Sequence, residues 1–177
     1  VADTDAALIA RVIADDDRSA FELLVRRHQS QLRSFLRRIV RDDNERADDL
    51  AQETFIKMHR SIHTYKGTAK FSTWLYRIAY NTFLNDERRR QPESGFDEAY
   101  HAPTADGAER ASKMFDVDRA LRHLSIRQQA IFDLHYKKGM THDEVATAME
   151  LPLGTVKSDL TRGRAKLKEI LVDWERD

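Results

Sequence analysis

Residues 124–171, LSIRQQAIFDLHYKKGMTHDEVATAMELPLGTVKSDLTRGRAKLKEIL, decide the fold. Ser125-Ile-Arg-Gln128 and Thr141-His-Asp-Glu144 are both capping boxes, in which a hydroxyl takes an orphan amide and the fourth side chain reaches back. Between them Ile131, Phe132 and Leu134 mark a helix that ends at Lys137-Lys138-Gly139, with cations and glycine where a helix terminus favours them. A short helix over 142–149, the LPLG turn and a longer helix over 155–172 then give a helix-turn-helix outline. The long helix is expected to bury Val156, Leu160, Leu167 and Ile170, and to present Lys157, Ser158, Thr161, Arg162, Arg164 and Lys168 on its other side. Small and basic residues near the start of such a helix suit the major groove. There Lys and Arg neutralise phosphates, and Arg can grip guanine through two parallel hydrogen bonds. Gly163 lets another backbone come close, at a helix cost near ~1 kcal/mol.

Composition agrees with helices. The chain has 177 residues, with six Gly and three Pro, so a turn-rich β fold is disfavoured. It has no Cys, which excludes disulfides, thiol catalysis and cysteine zinc sites. No apolar run approaches the ~20 residues of a membrane span and no signal peptide is visible, so a cytoplasmic protein is expected. A net charge of zero conceals an uneven layout: about +3 over residues 1–90, about −4 over 91–120 and about +1 over 121–177. The segment 151–168 alone carries about +4, despite Asp159.

Upstream, helical spacing continues. A short helix carries Leu8, Ile9, Val12 and Ile13. A longer one over 19–40 carries Phe21, Leu24, Val25, Leu32, Phe35, Leu36 and Ile39 on one side and arginines on the other. A third, over 45–62 with Asn44 as its cap, carries Leu50, Phe55, Ile56 and Met58. A fourth follows Ser72, its expected cap, and runs to Arg90. Residues 91–108 lack periodicity and are read as linker. The expected fold is therefore all-α, with two small helical domains, 1–90 and 118–177, joined by an acidic linker over 91–117.

Two surfaces of the first half invite a ligand. Asp48, Asp49, Gln52 and Glu53 fall within one and a half turns, which suits a basic partner helix. On spacing alone, however, these acids are better explained as stabilisers of a helix start that pair with Lys57. Over 61–90, Tyr65, Phe71, Trp74, Tyr76, Tyr80 and Phe83 interleave with Lys66, Lys70 and Arg77. Aromatic faces stack unpaired bases at ~1–3 kcal/mol each while cations hold the backbone. Phe71, Leu75 and Ile78 are expected in the core, and Tyr65 and Asn81 at the bases.

The segment quoted above resembles domain 4 of bacterial sigma factors of the sigma-70 superfamily, and is most similar to the small extracytoplasmic-function (ECF) type. AFELLVRRH, DDLAQETFIKMHRSI and FSTWLYRIAYN resemble domain 2 of the same proteins, in the same order. The resemblance implies a non-enzymatic sigma factor without cofactor or metal, directing promoter-specific initiation as a subunit of RNA polymerase. It implies that Asp48, Asp49, Gln52, Glu53, Phe55 and Ile56 bind core polymerase at the clamp coiled coil of β′, with β as a further contact. Lys57, Ser61, Tyr65, Lys66, Tyr76, Arg77, Ile78 and Asn81 would then serve the −10 element, where a non-template base is extruded. His135, Lys157, Ser158, Thr161 and Arg162 would serve the −35 element. It further implies control by a membrane-associated anti-sigma factor. A stand-alone helix-turn-helix regulator is the alternative.

Asp159 departs from the family, which often has a basic residue there. Two roles are open: helix stabilisation with Arg162 three residues on, or acceptance from a cytosine N4 amine. Enzyme readings are poor. There is no phosphate-cradling glycine loop, and His59 and His63, four apart as in helical metal pairs, lack an evident third ligand.

Overall fold

Each helix start below is marked by chemistry that the sequence carries locally. A computed structural model describes residues 3–41, 43–92, 97 and 113–174; most of the expected linker lies outside these. Thr4 caps α1 (Asp5–Asp15) by accepting from the Ala7 amide, and Asp17 caps α2 (Arg18–Ile39) through Ala20. α3 (Asn44–Ser61) is capped by Asp43 rather than Asn44, with the Arg46 amide at 3.0 Å. α4 (Phe71–Arg90) has no side-chain cap; it begins one residue before Ser72, which therefore cannot serve as one. Both capping boxes form: Ser125 and Gln128 open α6 (Ile126–Phe132), and Thr141 and Glu144 open α7 (His142–Met149).

α5 (Lys113–Leu121) starts inside the stretch expected as linker. α6 continues into one π-helical turn over Asp133–Lys137 before Gly139, whose φ of +68° ends it. α8 (Leu153–Trp174) starts just after Pro152, whose carbonyl accepts from the Thr155 and Val156 amides. No strand occurs among the described residues, and none of their helices is long and apolar enough to cross a membrane.

The amino-terminal core joins Leu8, Leu24, Leu32, Phe35, Leu36, Met58 and Phe83. Burying a side chain of this class stabilises by ~1.5–3 kcal/mol. α4 has no single apolar stripe because it is packed on several sides, against α2, α3 and α7. That is why Thr73, Thr82 and Glu87 are buried beside Trp74, Leu75, Tyr76 and Tyr80. Glu87 pairs with Arg46, whose guanidinium also bonds Asp86. The carboxyl-terminal core joins Leu124, Ile131, Leu134, Val145, Val156 and Leu160, while Leu167 and Ile170 are only partly buried.

The two helical groups pack together. α7 lies against α4 and α6 against α2. Arg38 of α2 bonds Asp133 (3.0 Å) and Asp118 (3.1 Å), and Lys138 reaches Gln31 (2.9 Å). Across α4 and α7, Lys70 pairs with Glu144 at 2.8 Å and Asn81 donates to Glu150 at 2.9 Å.

Candidate nucleic-acid interface

Three surfaces carry the residues singled out from the sequence. The first is a groove of about 680 Å³ between α2 and α3. Asp48, Asp49, Gln52, Phe55 and Ile56 all line it, opposite Phe21 and Val25 of α2. Ile56 is 46% exposed, a large apolar residue held at the surface. Asp48 is tied to Arg33 at 3.2 Å, whereas Asp49 makes no ion pair among the described residues. Glu53 faces away from this groove; it pairs with Lys57 (2.7 Å) and Arg89 (3.6 Å) toward α4. Phe21 and Val25 belonged to the apolar side of α2 but line a groove instead of a closed core, a distinction periodicity alone does not make.

The second surface lies along α3 and α4. Lys57, Ser61, Arg77, Ile78 and Asn81 share one groove of about 530 Å³. Arg60 and Asn85 line it too and were not singled out; Asn85 follows Asn81 at the i+4 spacing of one helix face. Beside it, Tyr65, Lys66, Trp74 and Arg77 line a pocket of about 250 Å³. Arg77 belongs to both cavities. The Tyr65 hydroxyl donates to the Ala69 carbonyl at 2.6 Å, and its ring lies 5.5 Å from that of Trp74. Burial, then the charge of Asp5, pushes the Tyr65 phenol up. Tyr76 lines neither cavity. It is buried against α2, with its ring edge-on to Phe35 at 5.2 Å, and burial followed by the Asp133 charge pushes its phenol well up. One helical step separates Tyr76 from Arg77, and that rotation turns the tyrosine into the core.

The carboxyl-terminal group abuts this second surface. Thr147 joins the wall of the smaller pocket and Glu150 that of the larger groove, where it holds Asn81. An acidic side chain of α7 thus occupies the Asn81 amide.

The third surface is α8. Lys157, Thr161, Arg162, Arg164 and Lys168 are exposed and Ser158 is half-buried. Val156 and Leu160 anchor the opposite side. Asp159 corrects the expected partner: it is 2% exposed and accepts from Arg127 Nε of α6 at 2.7 Å, rather than pairing with Arg162 at the surface. Residues 156, 159, 160 and 163 form one buried stripe, so the aspartate is inside by helical register. Gly163 is inside for a steric reason. A Cβ there would stand 2.5 Å from Phe132 Cε2. His135 sits in the π turn, its Nδ1 2.7 Å from the Met140 carbonyl and its ring between Tyr136 and His142. Since a carbonyl only accepts, Nδ1 carries the proton.

The histidine pair does not form. α3 ends at Ser61, so His63 falls in the following 3₁₀ turn, and His59 contacts Asp16 (3.2 Å) and the Phe21 ring instead.

Two family models match this chain. The family described as "Sigma-70 region 2" matches residues 24–93, and "Sigma-70, region 4" matches residues 114–167. The RNA polymerase sigma-H factor of Pseudomonas aeruginosa is 35% identical, over 94% of this chain and 93% of its own. The ECF RNA polymerase sigma-E factor of Haemophilus influenzae is 32% identical, over 93% and 94%. SigM of Mycobacterium tuberculosis, another ECF sigma factor, is 34% identical, over 95% and 85%. Among solved structures, CnrH in complex with the cytosolic domain of CnrY superposes with a TM-score of 0.70, at 22% identity over 97% of this chain and 99% of that one. The sigma factor RpoE of Bartonella quintana, bound to the anti-sigma factor NepR, gives 0.68 at 24% identity over 85% and 96%. These two likenesses concern the fold.

Proposed function

The chain belongs to the sigma-70 family as an ECF-type RNA polymerase sigma factor, a non-enzymatic initiation factor, and we propose how its surfaces divide that work. The α2–α3 groove takes the β′ clamp helices of core polymerase, with Asp49, Gln52, Phe55 and Ile56 as its centre and Asp48 at its arginine-tied edge. Exposed Ile56 supplies apolar contact, and Asp49 offers an uncompensated charge to a basic helix. Glu53, turned toward Lys57, contributes less than its neighbours.

The α3–α4 surface takes the −10 element. Tyr65 and Trp74 offer ring faces to an extruded non-template base, while Lys57, Lys66 and Arg77 hold the backbone. Extrusion costs a few kcal/mol, which stacking and pocket contacts offset. α8 takes the −35 element through Lys157, Ser158, Thr161 and Arg162. The observation that carries this reading is the gathering of Lys57, Ser61, Arg77, Ile78 and Asn81 in one groove. A stand-alone regulator would leave that groove and the α2–α3 groove without a role.

In the packed arrangement Glu150 holds Asn81 and Glu144 holds Lys70, so α7 must leave α4 before the −10 surface can work. This closed form suits capture by an anti-sigma factor in the cytoplasm, one tethered to a membrane. Permanganate footprinting of the promoter bubble tests the assignment. Tyr65→Ala and Asn81→Ala should each reduce opening while leaving −35 binding in place. Equal opening by wild type and both variants would overturn the −10 assignment.

A further inference from the structure

A further cavity, of about 230 Å³, lies where α2 meets α5 and α6, and none of its wall residues belongs to the grooves described above. Ser34, Arg37 and Arg38 of α2, with Arg41 just after it, share the wall with Asp118 and Arg122. Four guanidinium groups thus meet one carboxylate. That carboxylate is already engaged: Asp118 accepts from Arg38 at 3.1 Å and from Lys137 at 3.4 Å. Arg38 is engaged too, with its Nε on buried Asp133 at 3.0 Å. Arg37 comes within 4.0 Å of Asp48, an acid that Arg33 holds more closely at 3.2 Å. Arg41 pairs with no acid among the described residues. Glu87, whose charge it feels, is bonded to Arg46.

Arg41 also stands in an unusual place. Its φ of +60° lies in the left-handed region, where helix ends favour glycine. Arg37 and Arg38 already fill the last turn of α2 with the cations that its carbonyl end favours. Burial pushes the Arg41 guanidinium down, against the opposing charge of Glu87. A partly desolvated, unpaired guanidinium beside others of its kind is costly, and an anion among them relieves both the desolvation and the repulsion. Arginine forks match the paired oxygens of a phosphate group. The cavity is smaller than the ~300–1,000 Å³ of sites for drug-sized molecules, so it suits a small occupant.

We infer that this pocket binds a small phosphate-class oxyanion, gripped by Arg37 and Arg41 on the α2 side and by Arg122 on the α5–α6 side. The two walls come from the two helical groups, so the bound anion ties those groups together. It thereby opposes the parting of α7 from α4 that the −10 surface needs, a consequence that rests on the −10 assignment.

The test titrates inorganic phosphate and pyrophosphate calorimetrically into the full chain, in magnesium-free buffer with ionic strength held by chloride. Wild type should bind each at a single site. Arg41→Gly should weaken binding about 10-fold or more, the scale of one charge-assisted hydrogen bond, and Arg122→Gln should weaken it from the other wall. The thermal midpoint of anion-free Arg41→Gly should hold or rise, because glycine accepts that φ. Arg26→Gln removes the same charge from the exposed surface of α2 and should leave binding unchanged. Absence of binding by wild type would overturn the site. Equal weakening by Arg26→Gln would mean an adventitious ion only and would overturn it as well. Loss of oligothymidylate binding in Arg41→Gly, with pyrophosphate binding kept, would replace the small anion by a nucleic-acid backbone and overturn the inference. For the consequence, the chain is incubated with saturating inorganic phosphate, then given core polymerase, promoter DNA and magnesium, and opening is followed with permanganate. Wild type should open the promoter more slowly after the incubation, and Arg41→Gly should not. Opening untouched by bound phosphate would overturn the tie between the helical groups. No opening by wild type even without the anion would instead overturn the −10 assignment, with the calorimetry still deciding the site.

Discussion

Arg127→Ala would strand the Asp159 carboxylate inside the carboxyl-terminal core. The aspartate side chain is 4% exposed and its bond to Arg127 Nε is 2.7 Å long, while the arginine side chain is 20% exposed. Removing one member of a buried ion pair costs about 3–5 kcal/mol because the other remains charged and unsolvated. The two single variants should therefore differ. Arg127→Ala leaves the more deeply buried partner and should fall in that range. Asp159→Ala leaves a guanidinium already near water, and should cost about 1–2 kcal/mol less, since a partly exposed cation can rehydrate. The double variant Arg127→Met/Asp159→Leu exchanges the pair for apolar volume and should recover most of the loss. Urea unfolding of the full chain reads all three. At a slope of about 1–3 kcal/mol per molar, the Arg127→Ala midpoint should drop by 1 M or more, on the order of the whole transition. Binding to −35 DNA should weaken in both single variants and return in the double, with base preference unchanged throughout. Equal and small losses, under about 0.5 kcal/mol for each single variant, would refute the burial argument. Loss of a cytosine preference in the recovered double variant would make Asp159 a reader after all.

Gly163→Ala should destabilise the chain by about 1–2 kcal/mol although alanine favours helix, since overpacking against Phe132 outweighs the ~1 kcal/mol gain in propensity; Phe132→Leu should relieve it, and a stabilised Gly163→Ala in thermal unfolding would contradict the packing. Charge reversal at Asp49 should weaken core-polymerase binding more than reversal at Glu53, which faces Lys57; pull-down with core gives the order, and the reverse order would contradict the groove assignment. The Glu144 carboxyl is held below its ordinary 4.5 by the Lys70 ammonium first and the Thr141 amide second. Burial raises Asp118, but Arg38 and Lys137 together hold it below 3.8. Both values are lower folded than unfolded, so their stabilisation is complete above about pH 4.5 and fades as pH falls through the lowered values. Energy transfer between labels on α3 and α8 should fall over that acid range, before helix content is lost; constant transfer down to helix melting would contradict the inter-helix pairs.

The capping boxes and the LPLG turn were legible because their chemistry is local. Ser125 and Gln128, or Thr141 and Glu144, need only each other to start a helix. Asp159 was not legible in the same way. Its register points inward, but an acid reads as surface until the arginine 32 positions earlier is seen beside it. The burial of Tyr76 was hidden for a related reason: aromatic and basic residues alternate along α4, and only packing against α2 separates the buried ring from the groove one step away. The contact of α7 with α4 joins segments about 70 residues apart, beyond any periodicity.

The central claim is that this chain gives core polymerase its choice of promoter. Transcription in vitro on a genomic DNA library, with core polymerase alone and with the chain added, tests it most directly. A discrete set of start sites that appears only with the chain, and disappears with Asp49→Lys, is the expected result. Start sites that are the same with and without the chain would contradict it.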